Sequence, residues 1–335
     1  MTIVGIIANP ASGKDIRRLV TQAMVVGNRQ KTGILRSILF GLHSAGIEDV
    51  RIMPDTFGIG QQAIHDLQVQ WEHVTIGASI LDMPVTDSQI DTTTAACMLV
   101  EAGAGCMIVL GGDGTTRAVA RVCGETPVLP LSTGTNNVMP QFIDGTIAGM
   151  AAGLIAQQEA SVWKELCYRS KRIDIYINGQ VVDMALVDVG AVAGNFTGSR
   201  AIWETSTLRQ IAVTRASPSS IGLSSIVGLI QPVSIHDEFG IVTKIGQGGL
   251  GWKITAPIGP GLVSTIPIEE VRMLAPAQTH PIVVERPLVL TLDGERVIRL
   301  REGEDAAVVL QTQGPWIVQV ERVMEWAAQV RWFFQ

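Results

Sequence analysis

The chain has 335 residues, of which 47% are hydrophobic and 17% charged, and its formal net charge is −6. That length suggests two domains with cores that need no covalent staples, and the acidic balance argues against nonspecific binding to nucleic acid or an anionic membrane surface. The charged fraction lies below the roughly 25% usual in soluble chains, so unusually large cores or subunit contacts are expected.

Ile3 to Ala8 predicts a short buried strand. No basic leader precedes it, so no signal peptide is expected. It runs into Asn9-Pro-Ala-Ser-Gly-Lys-Asp15, a turn followed by a helix from near Ile16. The turn approaches a P-loop but misses its pattern. Ala8 replaces the first glycine of GxxxxGK[ST], and Asp15 stands where Ser or Thr would hold Mg²⁺. Lys14, Arg17, Arg18, Arg29, Lys31 and Arg36 fall within 23 residues, opposed only by Asp15. On an acidic chain this excess reads either as attraction for an anionic ligand or as a solvated helix face.

Ile34 to Ala45 has an amphipathic helical pattern that Gly46 stops. Val50 to Met53 predicts a strand, Gly58-Ile-Gly60 a loop, and Val74 to Ile76 a further strand. Asp87-Ser88 or Asp91 caps a helix running to about Ala102. The most informative stretch follows, Cys106-Met-Ile-Val-Leu-Gly-Gly-Asp-Gly-Thr-Thr-Arg117. Cys106 to Leu110 predicts a fully buried strand, and Gly111, Gly112 and Gly114 let the backbone turn sharply and approach a ligand. Thr115 and Thr116 are candidate caps for a helix from Arg117 to Val122. Strand, glycine turn and helix N-terminus make either an anion site or simply a tight turn. Asp113 needs a reason to stand there. Holding Mg²⁺ and accepting a proton from a substrate hydroxyl are two such reasons. The alternation of strands and helices implies a parallel sheet, with ligands beyond the carboxyl ends of its strands. Asn9–Lys14 and Gly111–Thr115 both fall there.

Val128 to Leu131 predicts the next strand, ending in Ser132-Thr-Gly-Thr-Asn-Asn137. That segment is a neutral cradle for phosphate or ribose, and equally an ordinary loop. Gln141 to Gln158 predicts a Gly- and Ala-rich helix suited to close packing. From Cys167 to Thr312 the runs become short and β-branched, which predicts a mainly antiparallel β domain. Asn178-Gly179, between Ile173–Ile177 and Gln180–Val189, is a hairpin signal. Asp293-Gly294 carries the same signal and reads equally as a plain hairpin turn; if the domains close on each other, Glu295 adds a second carboxylate suited to Mg²⁺-dependent phosphoryl transfer. Gly246-x-Gly248-x-x-Gly251 lacks a following helix and reads as turns, and Gln319 to Trp332 closes the chain as an apolar-faced helix. Cys97, Cys106, Cys123 and Cys167 lack CxxC spacing and are expected to be reduced core residues of a cytoplasmic protein. The five histidines lack ligand spacing, and no apolar run is long enough to span a bilayer.

Taken in order, Asn9-Pro-x-Ser-Gly13, Gly111-Gly-Asp-Gly-Thr115, Thr133-Gly-Thr-Asn136 and Asp293-Gly-Glu295 resemble the superfamily that joins NAD kinases to diacylglycerol and sphingosine kinases. The longer stretches Ile7–Arg18, Leu110–Arg117, Phe196–Trp203, Ala256–Gly261, Leu292–Arg296 and Gly314-Pro315 resemble the ATP-NAD kinase-like acetoin-catabolism proteins called AcoX. This resemblance spans essentially the whole chain. It implies an α/β N-terminal domain with a parallel Rossmann-like sheet over 1–140 and a helical connection over 141–166. A C-terminal antiparallel β-sandwich over 167–313 and a final helix over 314–335, packing back on the first domain, complete the expected fold.

The same resemblance implies an ATP site between the domains. Asp113 and Glu295 are the implied catalytic residues. Nucleotide or phosphate contacts are implied for Asn9, Pro10, Ser12, Gly13, Lys14, Gly111, Gly112, Gly114, Thr115, Thr133, Gly134, Thr135 and Asn136. Asp113, Asp293 and Glu295 are candidates to hold Mg²⁺. The Asp113 counterpart is assigned in NAD kinases as base for the ribose 2′-hydroxyl, whereas in the lipid kinases the glycine loop mainly holds nucleotide. The sequence departs from NAD kinases in having no Asn-Glu dipeptide, and Ser132–Asn137 is more similar to the lipid-kinase loop. The expected function is therefore a kinase moving the γ-phosphoryl of ATP to a hydroxyl acceptor, with NAD the first candidate, and linked to acetoin catabolism. The alternatives are a lipid kinase or a non-catalytic nucleotide-binding regulator. Homo-oligomeric assembly is also implied.

Overall fold

Strands that are apolar at every position need cover on both faces, and the first sheet of the computed structural model supplies it. The structure describes residues 2–12, 26–70, 76–134, 137–194, 205–247, 251–284 and 287–334, without the side chains of Gln70, Arg296 and Val297. Five strands, β1 (Ile3–Ala8), β2 (Asp49–Ile52), β3 (Gly77–Ile80), β4 (Ala104–Gly111) and β5 (Val128–Ser132), pair in parallel. Two short strands, β6 (Cys167–Arg169) and β18 (Trp316–Val318), complete the order β3-β2-β1-β4-β5-β18-β6. The chain thus leaves this sheet at β6 and returns to it at β18. Residues 167–169, which composition groups with the β domain, belong to this sheet because they pair antiparallel with 316–318.

Side chains along β4 alternate between two cores, as the strand period of two requires. Cys106, Ile108 and Leu110 pack with α1 (Asn28–Ser44), α2 (Ile59–Gln70), α5 (Gly145–Ala156) and α8 (Val320–Gln329). Met107 and Val109 pack on the other face with α3 (Gln89–Glu101) and with Val119 of α4 (Asp113–Ala120). The glycines expected to permit close helix packing do so. A Cβ on Gly149 of α5 would strike the Ile38 carbonyl of α1. Strand order reverses between β1 and β4, and the crevice beyond their carboxyl ends is where ligands bind in open α/β sheets.

The remaining strands are antiparallel and form two sheets. The larger has the order β12 (Trp252–Gly259), β13 (Leu262–Leu274), β11 (Gly240–Ile245), β10 (Leu208–Val213), β9 (Asp188–Ala193), β15 (Leu288–Leu292) and β16 (Glu295–Leu300). The smaller has the order β14 (Thr279–Ile282), β17 (Ala306–Gln311), β7 (Arg172–Ile177) and β8 (Gln180–Ala185). Ile173, Ile175 and Val308 of the smaller sheet share one core with Val189, Ala191 and Leu290 of the larger. This is the expected sandwich. Two short helices, α6 (Ala160–Leu166) and α7 (Leu223–Gly228), lie before and beside it. Both expected hairpins form with two residues at positive φ, 52° and 78° at Asn178-Gly179 and 50° and 82° at Asp293-Gly294, as type I′ turns require.

Several local expectations differ. The strand expected at Val74–Ile76 is found at Gly77–Ile80, with Val74 and Thr75 outside the described residues, and the helix expected from Gln141 starts at Gly145. The helix after the glycine turn begins at Asp113 with Gly112 as its cap, so Thr115 and Thr116 lie inside it. Gly58-Ile-Gly60 is no loop past Gly58. Asp55 accepts from the N–H groups of Phe57 and Ile59, which starts α2 at Ile59. The run Gln180–Val189 is two strands, because the Leu186, Val187 and Asp188 N–H groups turn to the Asp293 carboxylate.

Candidate active site between the two domains

Strand β4 delivers Gly111 and Gly112 to the start of α4, and each is small for a reason. A Cβ on Gly111 would lie 2.5 Å from Thr115 Cβ, one on Gly112 2.8 Å from Asn137 Oδ1, and one on Gly114 2.5 Å from Glu295 Oε1. The first N–H groups of a helix have no acceptor within it and carry the positive end of its dipole. Asp113 occupies that first turn, buried, and both its oxygens are engaged. Oδ2 accepts from Val138 N–H and Oδ1 from Met139 N–H, each at 2.9 Å. Asp113 therefore ties the glycine turn to the end of the Ser132–Asn137 segment.

Burial pushes the Asp113 carboxyl up to about 6, with repulsion from Asp293 adding to it and the two backbone N–H groups and Arg215 opposing. A carboxyl whose pKa rises on folding binds more protons in the folded state, so its contribution to stability is full below the unfolded value near 3.8 and is lost as pH rises through about 6. Asp113→Asn is expected to remove this slope. The stability difference between wild type and variant, from urea melts, should shift against the wild type by on the order of 2–3 kcal/mol between pH 4 and 7. A difference that stays flat over that range would contradict it.

The Asn9–Ser12 segment lies across the switch point from the glycine turn. Asn9 donates from Nδ2 to Thr115 Oγ1 at 2.9 Å, and Thr133 donates from Oγ1 to Ser12 Oγ at 2.9 Å. Lys31, fully buried on α1, holds the segment from below. Its ammonium donates to the carbonyls of Asn9 and Ser12 at 2.8 Å and of Pro10 at 3.3 Å. Lys31 is therefore not part of a solvated face; its ammonium is buried among backbone carbonyls and the Asn28 side-chain amide. Arg36 pairs with Asp66 at 3.6 Å. Gly13, Lys14, Arg17, Arg18, Thr135, Asn136, Gly248 and the Phe196–Trp203 motif lie outside the described residues.

From the second domain, the Asp293-Gly294 turn brings two carboxylates with different environments. Asp293 is buried and accepts from three consecutive N–H groups, Leu186, Val187 and Asp188, at 2.7–3.2 Å. Burial pushes its carboxyl up, while Arg117 and those N–H groups pull it down. Glu295 keeps 45% of its side chain exposed and stands over Gly114. Between them sits Arg117 of α4, with 0% exposure, 3.3 Å from Asp183, 3.7 Å from Asp293 and 3.1 Å from Glu295. Arg121 also pairs with Asp183. Arg117 and Asp183 escaped the sequence reading. The available signal was an arginine inside the small apolar run Arg117-Ala-Val-Ala120, where a solvated charge is out of place.

These segments enclose a cleft of about 440 Å³. Asn9, Pro10, Gly114, Thr115 and Glu295 line it, together with Asp55, Phe57, Asp87 and Gln89 from the ends of β2 and the start of α3. Ser12, Gly111, Gly112, Asp113, Thr133, Gly134 and Asp293 are not part of the lining. Phe57, 60% exposed, is an aromatic face at the mouth. Among the described residues no group of three His, Cys, Asp or Glu side chains is arranged to hold a metal ion. Nor is any helix among them long and apolar enough to cross a membrane.

Known proteins share this architecture. Residues 4–159 match the ATP-NAD kinase N-terminal domain, and residues 171–313 match the C-terminal domain of acetoin catabolism protein X. The acetoin catabolism protein X of Cupriavidus necator is 39% identical over 334 residues, which cover 98% of this chain and 92% of that protein. Yeast NADH kinase, solved with NADH, aligns over 100% of this chain and 89% of its own at 15% identity, with a TM-score of 0.50. A diacylglycerol kinase from Bacillus anthracis aligns over 95% and 96% of the two chains at 14% identity, with a TM-score of 0.46. The likeness to the yeast enzyme is one of fold.

Proposed function

We propose, from the premise that the chain belongs to the family of acetoin catabolism protein X, that it is an ATP-dependent phosphotransferase acting on a hydroxyl acceptor. NAD⁺ is the first acceptor to test, given the ATP-NAD kinase match and the fold shared with yeast NADH kinase. One observation carries the reading: Asn9, Gly114, Thr115 and Glu295, from three separate segments, line a single cleft at the switch point. Phosphoryl transfer asks mainly for positioning and charge neutralisation. The open first turn of α4 offers N–H groups to phosphate oxygens, and the Asn9 amide with the Thr115 hydroxyl fixes one wall. Glu295, the one of the three candidate carboxylates that lines the cleft, accepts the proton of the attacking hydroxyl. Asp113 and Asp293, committed to backbone N–H groups, hold the two turns in place.

Those commitments also decide the fit to Mg²⁺. Asp113 and Asp293 are buried outside the cleft lining with backbone N–H groups on their oxygens, which supports placing a metal elsewhere. Glu295, with one oxygen on Arg117 and the other given to proton transfer, would leave the ion to be held by the nucleotide's own phosphates. When bound, Mg²⁺ neutralises phosphate charge.

The same commitment of Asp113 favours a second reading, a nucleotide-binding regulator without turnover. A coupled assay for ADP release, with Mg²⁺, ATP and a panel of acceptors that includes NAD⁺, separates the two. Acceptor-dependent ADP release supports the phosphotransferase; saturable ATP binding without release across the panel supports the regulator.

A further inference from the structure

Burying an arginine completely is costly unless its charge and hydrogen bonds are answered. Arg117 has 0% exposure, and its answers come from three carboxylates of the second domain. They do not answer it equally. Nη1 reaches Asp183 at 3.3 Å and Nη2 reaches Glu295 Oε2 at 3.1 Å. Nε lies 3.7 Å from Asp293, beyond hydrogen-bond reach, and has no hydrogen-bond partner among the described residues. A guanidinium brought in only to neutralise the buried Asp293 would turn its fork toward it. This fork spans Asp183 and Glu295 instead. Arg117 binds one oxygen of Glu295, while the other, Oε1, lies over Gly114 at a position only glycine leaves open. The Glu295 carboxylate is thereby held by Arg117 at Oε2 and packed by Oε1 against Gly114, and both Glu295 and Gly114 line the cleft.

We propose that Arg117 is a positioning residue that fixes the direction of the Glu295 carboxylate toward the cleft. The proposal rests on the phosphotransferase reading for its consequence, though not for its geometry. Arg117 belongs to the helix that opens on the cleft and Glu295 to the hairpin of the other domain, so the pair also sets the registration of the two catalytic halves. Lysine keeps the charge but lacks the planar fork and cannot span Asp183 and Glu295 together.

The test has two arms run on the full chain. In the first, carboxylates of the free protein are labelled with a water-soluble carbodiimide and an amine, and the rate at Glu295 is read by peptide mass spectrometry. Arg117→Lys is expected to raise that rate several-fold, whereas Asp183→Asn, which leaves the Arg117–Glu295 contact intact, is expected to leave it near wild type. An unchanged rate in Arg117→Lys, or an equal rise in both variants, overturns the proposal. If Arg117→Lys does not fold, Arg117→Gln takes its place: a several-fold rise at Glu295 supports the proposal, and an unchanged rate, or an equal rise in Asp183→Asn, overturns it.

The second arm is a double-mutant cycle on turnover. Arg117→Lys should lower kcat about 100-fold with little change in KM for ATP, as a small misplacement of a reacting group does. It should add almost nothing to Glu295→Gln, since both act on one carboxylate. Additive losses overturn the positioning role. Absence of turnover in the wild type removes the phosphotransferase reading while the labelling arm still decides the geometry.

Discussion

Replacing Glu295 by glutamine is expected to reduce kcat by about 10²–10⁴-fold, the range for loss of a general base, while ATP binding changes by no more than a few-fold. Glutamine is nearly isosteric, and its carbonyl can still accept from Arg117 Nη2, now 3.1 Å from the carboxylate. What it cannot do is take a proton. The measurement is steady-state ADP release alongside calorimetric ATP binding. Retained kcat would show that Glu295 only lines the cleft; lost ATP binding would make it a nucleotide ligand rather than a base.

The second large effect is on stability. Asp293→Ala removes the acceptor of three backbone N–H groups and a negative charge beside buried Arg117. Breaking such a buried constellation costs about 3–5 kcal/mol. Alanine at φ 50° adds strain that asparagine avoids. The thermal midpoint of Asp293→Ala should therefore fall by about 4–7 °C, and that of Asp293→Asn clearly less. A fall within 2 °C for alanine, roughly what a kcal/mol or less would produce, would contradict the scaffold role given to this turn.

Local patterns carried far in this chain. An unbroken apolar strand followed by three glycines announces a strand, turn and helix wherever it occurs, and Cys106 to Arg117 folds that way. Asn178-Gly179 and Asp293-Gly294 announce hairpins because few other pairs tolerate two positive φ values. Described residues of the four motifs lie beside one another, Asn9 on Thr115, Thr133 on Ser12 and Glu295 on Gly114. Events that depend on distant partners were illegible. Lys31 looks like one of six basic residues in a charged stretch, yet it is buried under three carbonyls of another loop. Arg117 meets Asp183 and Glu295 across separations of 66 and 178 residues, which no local periodicity encodes. The contacts of Asp113 were illegible for the same reason: its oxygens accept from Val138 and Met139 N–H groups, 25 and 26 residues away, and the scaffold role proposed for it rests on them. The start of α2 was missed because the cap is the Asp55 side chain, four residues upstream of Ile59.

The most direct measurement is transfer itself. Wild-type protein is incubated with Mg²⁺, NAD⁺ and ATP labelled at the γ-phosphoryl, and the label is followed into NADP⁺, with Glu295→Gln alongside. Label in NADP⁺ from the wild type and its loss in the variant is the predicted result. Label that remains in ATP here and across a panel of other hydroxyl acceptors, with ATP bound saturably, would contradict the phosphotransferase account and leave a nucleotide-binding protein built on a kinase fold.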